Sequence, residues 1–283
     1  MKILKFGLGI LALVAIGFSF QYGSNNNQKE EQKEENVYKP LNCSILLDLS
    51  DRLEREMTPS QMQRDTAIVN FIIDEFIDQC RKDKMQVTKN HLQVFFYPTP
   101  DNPLVSDLAA DLNIDLEKIS NPADKKKALK SMKAQFDNSL DSIYQNTLKM
   151  KKWVGCDIWS FFSNKKVDNL CIRKGYRNIL VILTDGYLYH KDNKFKDGTA
   201  YSYILPETLN TPNASLISKR KGLNDLEVLI LEVNPYSPGQ RDRLIEVLEK
   251  WLKDMEVSKY QIEETDIPNN IKPIISNFLN RTF

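Results

Sequence analysis

Three oxygen-bearing side chains stand at the ends of two apolar runs. Ser44–Arg52 reads SILLDLSDR and carries Asp48 and Ser50, and Asn178–Gly186 reads NILVILTDG and ends on Asp185. In a parallel sheet covered on both faces, Ile/Leu/Val runs of this kind are central strands. Their carboxyl ends can meet at one edge of the sheet, where open α/β folds bind ligands. Asp48, Ser50 and Asp185 then share a site with two carboxylates and one hydroxyl. The residues place the site but do not name its ligand.

Other chemistries lack their signatures. The chain has two histidines and four scattered cysteines, with no CxxC pair and no HExxH, so no dedicated zinc site is expected. There is no P-loop, no GxGxxG and no GxSxG. Lys and Arg total 39 against 38 Asp and Glu, which leaves no basic footprint for nucleic acid. The run Lys125, Lys126, Lys127 has no aromatic platform beside it and reads as a solvated face. Cys43, Cys80, Cys156 and Cys171 read as small buried hydrophobes. A Cys156–Cys171 disulfide is the alternative in an oxidising compartment.

The N-terminus is a separate matter. Lys2 and Lys5 precede an uncharged apolar run from Phe6 to Phe20, a signal peptide or signal anchor pattern. Leu4 to Tyr22 is near the lower limit of about 17 residues for a spanning helix. Residues 24–36, SNNNQKEEQKEEN, hold no apolar side chain and read as a tether, with the charged linker reaching residue 40. A core helix followed by such a stretch has nothing to pack on. The basic flank keeps the N-terminus cytoplasmic, which puts the body outside the inner membrane. Cleavage at the small residues Ala15 and Gly17 would instead release it. No cysteine follows the run directly, so a lipoprotein anchor is not expected.

Positioning elements follow from periodicity. Thr58-Pro59-Ser60-Gln61 predicts a helix start with Thr58 as cap, and Ile68, Phe71, Ile72 and Phe76 continue a helical face to about Lys82. His91–Tyr97 predicts a strand stopped by Pro98 and Pro100. Leu108, Ala110, Leu112, Ile114 and Leu116 alternate with acidic or amide residues, which predicts an antiparallel edge strand in a hairpin with the strand before it. Asn121-Pro122 opens a helix to about Met150, buried through Leu129, Met132, Phe136, Leu140, Ile143 and Tyr144. Trp153–Phe162 reads as a turn into a helix. The polar segment 187–222, with Tyr187, Tyr189, Tyr201 and Tyr203, reads as a long functional or disordered loop. Asp225–Val233 predicts a buried strand, Gln240–Met255 an amphipathic helix, Ser258–Glu264 an edge strand and Ile271–Leu279 a closing helix. The predicted class is α/β, a doubly wound, mostly parallel sheet with one antiparallel edge strand, over residues 41–283.

In this order of strands, with two of them ending on aspartate, the body resembles a von Willebrand factor type A domain, also called an integrin I-like domain. The resemblance implies a metal-ion-dependent adhesion site built from three loops. Asp48 and Ser50 match the first two positions of the Asp-x-Ser-x-Ser loop, and Arg52 stands where the third has serine. Gly155-Cys156-Asp157-Ile158 resembles the second loop, with Cys156 in the place of its threonine, and Asp185 matches the third. By this resemblance Mg or Mn is the implied cofactor, held by Asp48, Ser50 and Asp185, with Asp157 compensating for Cys156. Magnesium favours octahedral oxygen ligands. Arg52 brings a like charge to such an ion, and Cys156 is a soft ligand poorly matched to it. Three readings therefore stand: a retained divalent site, a metal-free site in which Arg52 pairs with Asp48 or Asp185, and residues that only cap turns.

The function read from these residues is a membrane-tethered binding module of the bacterial cell envelope. It meets a protein or peptide at the upper face of the sheet, with Arg52, Tyr187, Tyr189 and His190 as contact residues. One alternative is a metal-dependent hydrolase of phosphoesters or esters, although no histidine accompanies Ser50 in a known motif. The other is a metal-free subunit of an envelope assembly.

Overall fold

A computed structural model describes residues 38–100, 102–150, 156–187, 196–197, 200–201 and 220–281. The segment read as an anchor and tether, and most of the loop after Tyr187, lie outside the described residues. Among the described residues no helix is long and apolar enough to cross a membrane.

The elements run β1 (Leu41–Leu47), α1 (Gln61–Lys82), β2 (His91–Phe95), α2 (Pro103–Ala110), β3 (Asn113–Asp115), α3 (Pro122–Met150), α4 (Ile158–Ser163), α5 (Lys166–Cys171), β4 (Arg177–Leu183), β5 (Lys196–Asp197), β6 (Ala200–Tyr201), β7 (Leu226–Val233), α6 (Pro238–Asp254), β8 (Lys259–Glu264) and α7 (Pro268–Asn280). β5 and β6 pair only with each other. The other six strands form one sheet in the order β3-β2-β1-β4-β7-β8. All its pairs are parallel except β2–β3.

The pleat explains why β1, β4 and β7 are apolar throughout. Cys43, Ile45 and Leu47 of β1 face one core with Val181, Leu183, Leu229 and Leu231, under helices α1, α3 and α7. Leu46 faces the other core with Leu180, Ile182, Val228 and Ile230, under α4, α5 and α6. Both faces of each strand are therefore buried. Each Ile or Leu so buried contributes roughly 1.5–3 kcal/mol.

Two local expectations are corrected. Helix α1 starts two residues after the predicted Pro59, because Ser60 is its cap. Gln63 N–H donates to the Ser60 hydroxyl at 3.4 Å, and Ser60 N–H donates to Gln63 Oε1 at 3.0 Å. The alternation over 107–117 is helix in its first part and strand only at Asn113–Asp115. Asn102 caps α2, Pro103 opens it, and Val105, Leu108 and Leu112 recur at helical spacing, whereas only Leu108 and Leu112 fit the alternation. The antiparallel pairing with β2 is as read, and backbone bonds from Val94 to Leu112 and from Leu116 to Asn90 extend it. The four cysteines are unpaired and buried.

The amino-terminal edge of the sheet is closed by a buried polar seam. Asn42 Nδ2 donates to Asn178 Oδ1 and to the Cys171 carbonyl, both at 2.8 Å. Asn42 Oδ1 is then the acceptor for His91 Nδ1 at 2.7 Å, which assigns the proton of neutral His91 to Nδ1. Burial, and then the nearby Arg173 charge, lower the His91 pKa from 6.5 to about 4. His91 thus opens β2 opposite Asn42, six residues and ~20 Å along the strand from Asp48. Between these two pKa values the unfolded chain binds a proton that the folded chain refuses, so stability falls as pH drops through this window. The contribution is about 3 kcal/mol. Denaturant melts from pH 7 to pH 4 should show this loss in the wild type and a shallower one in His91→Gln.

Candidate functional site

Ladder bonds continue past the carboxyl ends of the strands and hold four loops side by side. Asp48 N–H donates to the Leu183 carbonyl at 3.1 Å, and Thr184 N–H to the Leu231 carbonyl at 3.2 Å. Asn234 N–H donates to the Asp185 carbonyl at 3.0 Å, and Thr265 N–H to the Val233 carbonyl at 2.9 Å. Asp48 and Asp185 therefore leave adjacent strands at one edge. Gly186 completes the turn after β4. Its φ is +92°, and a Cβ there would meet Val233 at 3.1 Å and Leu244 at 3.2 Å, so only glycine fits.

Both oxygens of Asp48 are engaged by the chain. Ser50 N–H donates to Oδ1 at 2.8 Å, and the Thr184 hydroxyl donates to Oδ2 at 2.8 Å. Ser50 caps a short 3₁₀ turn over Asp51–Glu54, and its hydroxyl accepts from Arg52 N–H at 3.4 Å. That turn drives Arg52 inward, where it is 4% exposed. Arg52 Nε donates to the Asp48 carbonyl at 2.9 Å and lies 3.9 Å from Asp48 Oδ2. Its two terminal nitrogens fork onto Asp65 of α1, at 2.7 Å and 3.3 Å. Arg52, read as a contact residue, instead lies beneath the surface.

The buried network extends in two directions. Tyr144 of α3 donates its hydroxyl to Asp65 Oδ2 at 2.7 Å. Gln61 Nε2 bridges Asp65 at 2.9 Å and Glu232 at 3.2 Å. Arg64 pairs bidentately with Glu232 at 2.7 Å and 3.0 Å and also reaches the Asp266 carbonyl. Glu232 sits at a register shift of β7 with φ +69°, which accompanies its departure from the regular ladder. Buried Asp48, Asp65 and Glu232 face buried Arg52 and Arg64, three carboxylates to two guanidiniums. Burial raises the Asp48 pKa, against the pull of Arg52 and the Thr184 hydrogen bond. Burial alone would lower the Arg52 pKa, but Asp65 and then Asp48 overcome it and raise it. Burial, and then the Asp48 charge, push Asp185 up to about 7.

The remaining predicted residues are placed as follows. Asp157 caps α4, accepting from Ser160 N–H at 2.9 Å. Cys156 is buried, and burial followed by the Asp48 charge raises its thiol well above the ordinary range. Asp185 Oδ1 accepts from Tyr187 N–H at 3.2 Å. Tyr187 donates its hydroxyl to Gln240 Oε1 at 2.6 Å and accepts from Tyr236 N–H at 2.9 Å. Tyr189 and His190 lie outside the described residues.

Tested against a divalent ion, this donor set does not fit. Ser50 and Thr184 each donate to one Asp48 oxygen, and a fixed guanidinium stands 3.9 Å from Oδ2, where its charge opposes a second cation. Cys156 is a buried thiol, unsuited to magnesium. Among the described residues no group of three or more His, Cys, Asp or Glu side chains is placed to hold a metal.

Composition and strand ends did not point to Asp65, Tyr144, Arg64, Glu232, Arg55 or Tyr236. A signal existed for two of them. Arg64 and Asp65 lie on the same helical stripe as Ile68 and Ile72, and charge on a buried stripe requires partners.

No family model matches the chain, and no curated protein matches it. Among solved structures, it is similar to the crystal structure of a conserved hypothetical protein, BatB, from Bacteroides thetaiotaomicron. Identity is 14% and the TM-score 0.40, over 84% of this chain and 96% of that one. A likeness at this level carries no argument about the site. The six-stranded α/β sheet with its one antiparallel edge strand rests on the strand pairing itself.

The network makes a stability prediction. Asp65→Asn removes the nearer of the two carboxylates that face the Arg52 guanidinium and should cost about 3–5 kcal/mol. Tyr144→Phe removes one hydrogen bond to a charged group and should cost about 1.5–3 kcal/mol. Urea unfolding of both variants checks the order. Asp185→Asn should act in the opposite sense. A carboxyl pKa raised on folding costs stability once pH exceeds the unfolded value of 3.8, and fully so above about 7. The variant should therefore be more stable than wild type at pH 8 and not at pH 4.

Proposed function

We propose that the chain is a binding module whose ligand, a protein or peptide segment, docks on the loops at the carboxyl edge of the sheet. The observation that carries this reading is an exposed aromatic held rigidly in place. Tyr236 follows β7 and is 66% exposed. Its ring lies 5.3 Å from that of Tyr187, and the Arg55 guanidinium lies 5.0 Å over it. Arg55 is itself fixed to the Asn234 carbonyl at 2.9 Å. Ile267, after β8, is 61% exposed on the neighbouring loop. A large ring with few rotamers to lose, braced by its neighbours and open to solvent, is the commonest kind of anchor at protein interfaces.

The rest of the proposal concerns location. The basic flank of Lys2 and Lys5, the apolar run to Phe20 and the charged tether support a module held at a membrane with its body outside the cytoplasm.

The test is a peptide-display selection on the full chain in detergent micelles. Selected peptides should bind Tyr236→Ala about 30-fold more weakly or worse, the loss of a hot-spot anchor. They should bind Val87→Ser, altered at an exposed residue near the amino-terminal edge, as they bind wild type. Peptides that bind Tyr236→Ala unchanged, or a library that yields none, would sink the assignment of this face.

A further inference from the structure

We infer that Arg52 is a built-in replacement for a divalent cation. The resemblance implies an ion at this edge, and the side chains present do not accommodate one; Arg52 accounts for the disagreement. It stands at the position where the adhesion-site loop has a ligating serine. A serine at that position would offer an oxygen, whereas arginine offers only donors and a permanent charge.

The geometry follows that exchange. One planar group joins the loop after β1 to the second turn of α1, through the Asp48 carbonyl and the Asp65 carboxylate. A metal joins loops in the same way, by drawing oxygens from separate segments to one positive centre. Here the centre is covalently part of the chain, and its pairing is fixed by the Arg52–Asp65 fork and the Tyr144 hydroxyl. Each Asp48 oxygen accepts one hydrogen bond, from Ser50 or Thr184, and the guanidinium 3.9 Å from Oδ2 supplies the positive charge that a metal would bring. The edge is thus assembled without metal, and a ligand docking there contributes no oxygen to one. This inference does not depend on which ligand binds.

The experiment uses the full chain in detergent micelles, with free Mn²⁺ followed by its electron paramagnetic resonance signal and folding by thermal melts. Wild type should leave the Mn²⁺ signal unchanged and melt at the same temperature in Mg²⁺ and in chelator. Arg52→Ser should melt on the order of 10 °C lower in chelator, as expected for a broken buried pair in a chain of this size. It should regain much of that loss with Mg²⁺ or Mn²⁺ and bind one Mn²⁺. Adding Asp48→Asn should abolish the gain. Arg52→Lys keeps the charge and should bind no Mn²⁺. If Arg52→Ser does not fold in chelator, folding on addition of Mg²⁺ gives the same answer. The inference is overturned if wild type binds one Mn²⁺ that Asp48→Asn loses. It is equally overturned if Arg52→Ser gains neither binding nor stability from any divalent ion.

Discussion

The pairing of Arg52 with Asp65 fixes how the carboxyl edge of the sheet is built. Its fork spans a loop and a helix, and its third nitrogen holds the Asp48 carbonyl. Removing these charges from water is expensive, and a buried pair rarely improves stability over a well-packed apolar one. What it supplies is direction. An apolar contact tolerates sliding, but a bidentate guanidinium–carboxylate pair sets both distance and plane. The loop carrying Asp48, Ser50 and Asp51 is therefore registered against α1, and α1 against α3 through Tyr144.

The same logic extends to the outer strands. Arg64, the residue before Asp65 on α1, repeats the pairing with Glu232, and Gln61 links the two pairs. The start of α1 thus carries three buried polar side chains, Gln61, Arg64 and Asp65, directed into the protein rather than to solvent, all of them satisfied. Above this layer stand Arg55, Tyr187 and Tyr236. A rigid floor lets exposed rings keep their positions, which lowers the ordering cost of binding.

Much of this architecture is legible in the sequence because burial on both faces leaves an unmistakable pattern. SILL and NILVIL have no polar face to present, so they must be central strands, and their terminal aspartates must fall at the same edge. The acidic alternation around Asn113 was legible only in part. Leu108 and Leu112 satisfy both helical and strand spacing, Val105 only the helical one, and the Asn102-Pro103 start decides for helix. Arg52 was legible as an anomaly, and its pairing with Asp48 or Asp185 in a metal-free site was one of three readings, but its main partner was not legible. Its partner Asp65 is 13 residues away on another element, and no spacing rule connects a loop arginine to a helix aspartate. Tyr236 was hidden for the opposite reason, since a tyrosine in a turn becomes meaningful only when Arg55 and Tyr187 are seen to brace it.

The central claim is that a buried guanidinium, engaged through all three of its nitrogens, organises this edge. The direct measurement is the Nε–H resonance of Arg52 and its exchange with water, compared with that of the exposed Arg241. The account predicts a resolved Arg52 signal that exchanges far more slowly than Arg241 and keeps its shift whether Mg²⁺ or chelator is present. Exchange as fast as that of Arg241, or a shift that titrates with Mg²⁺, would contradict it.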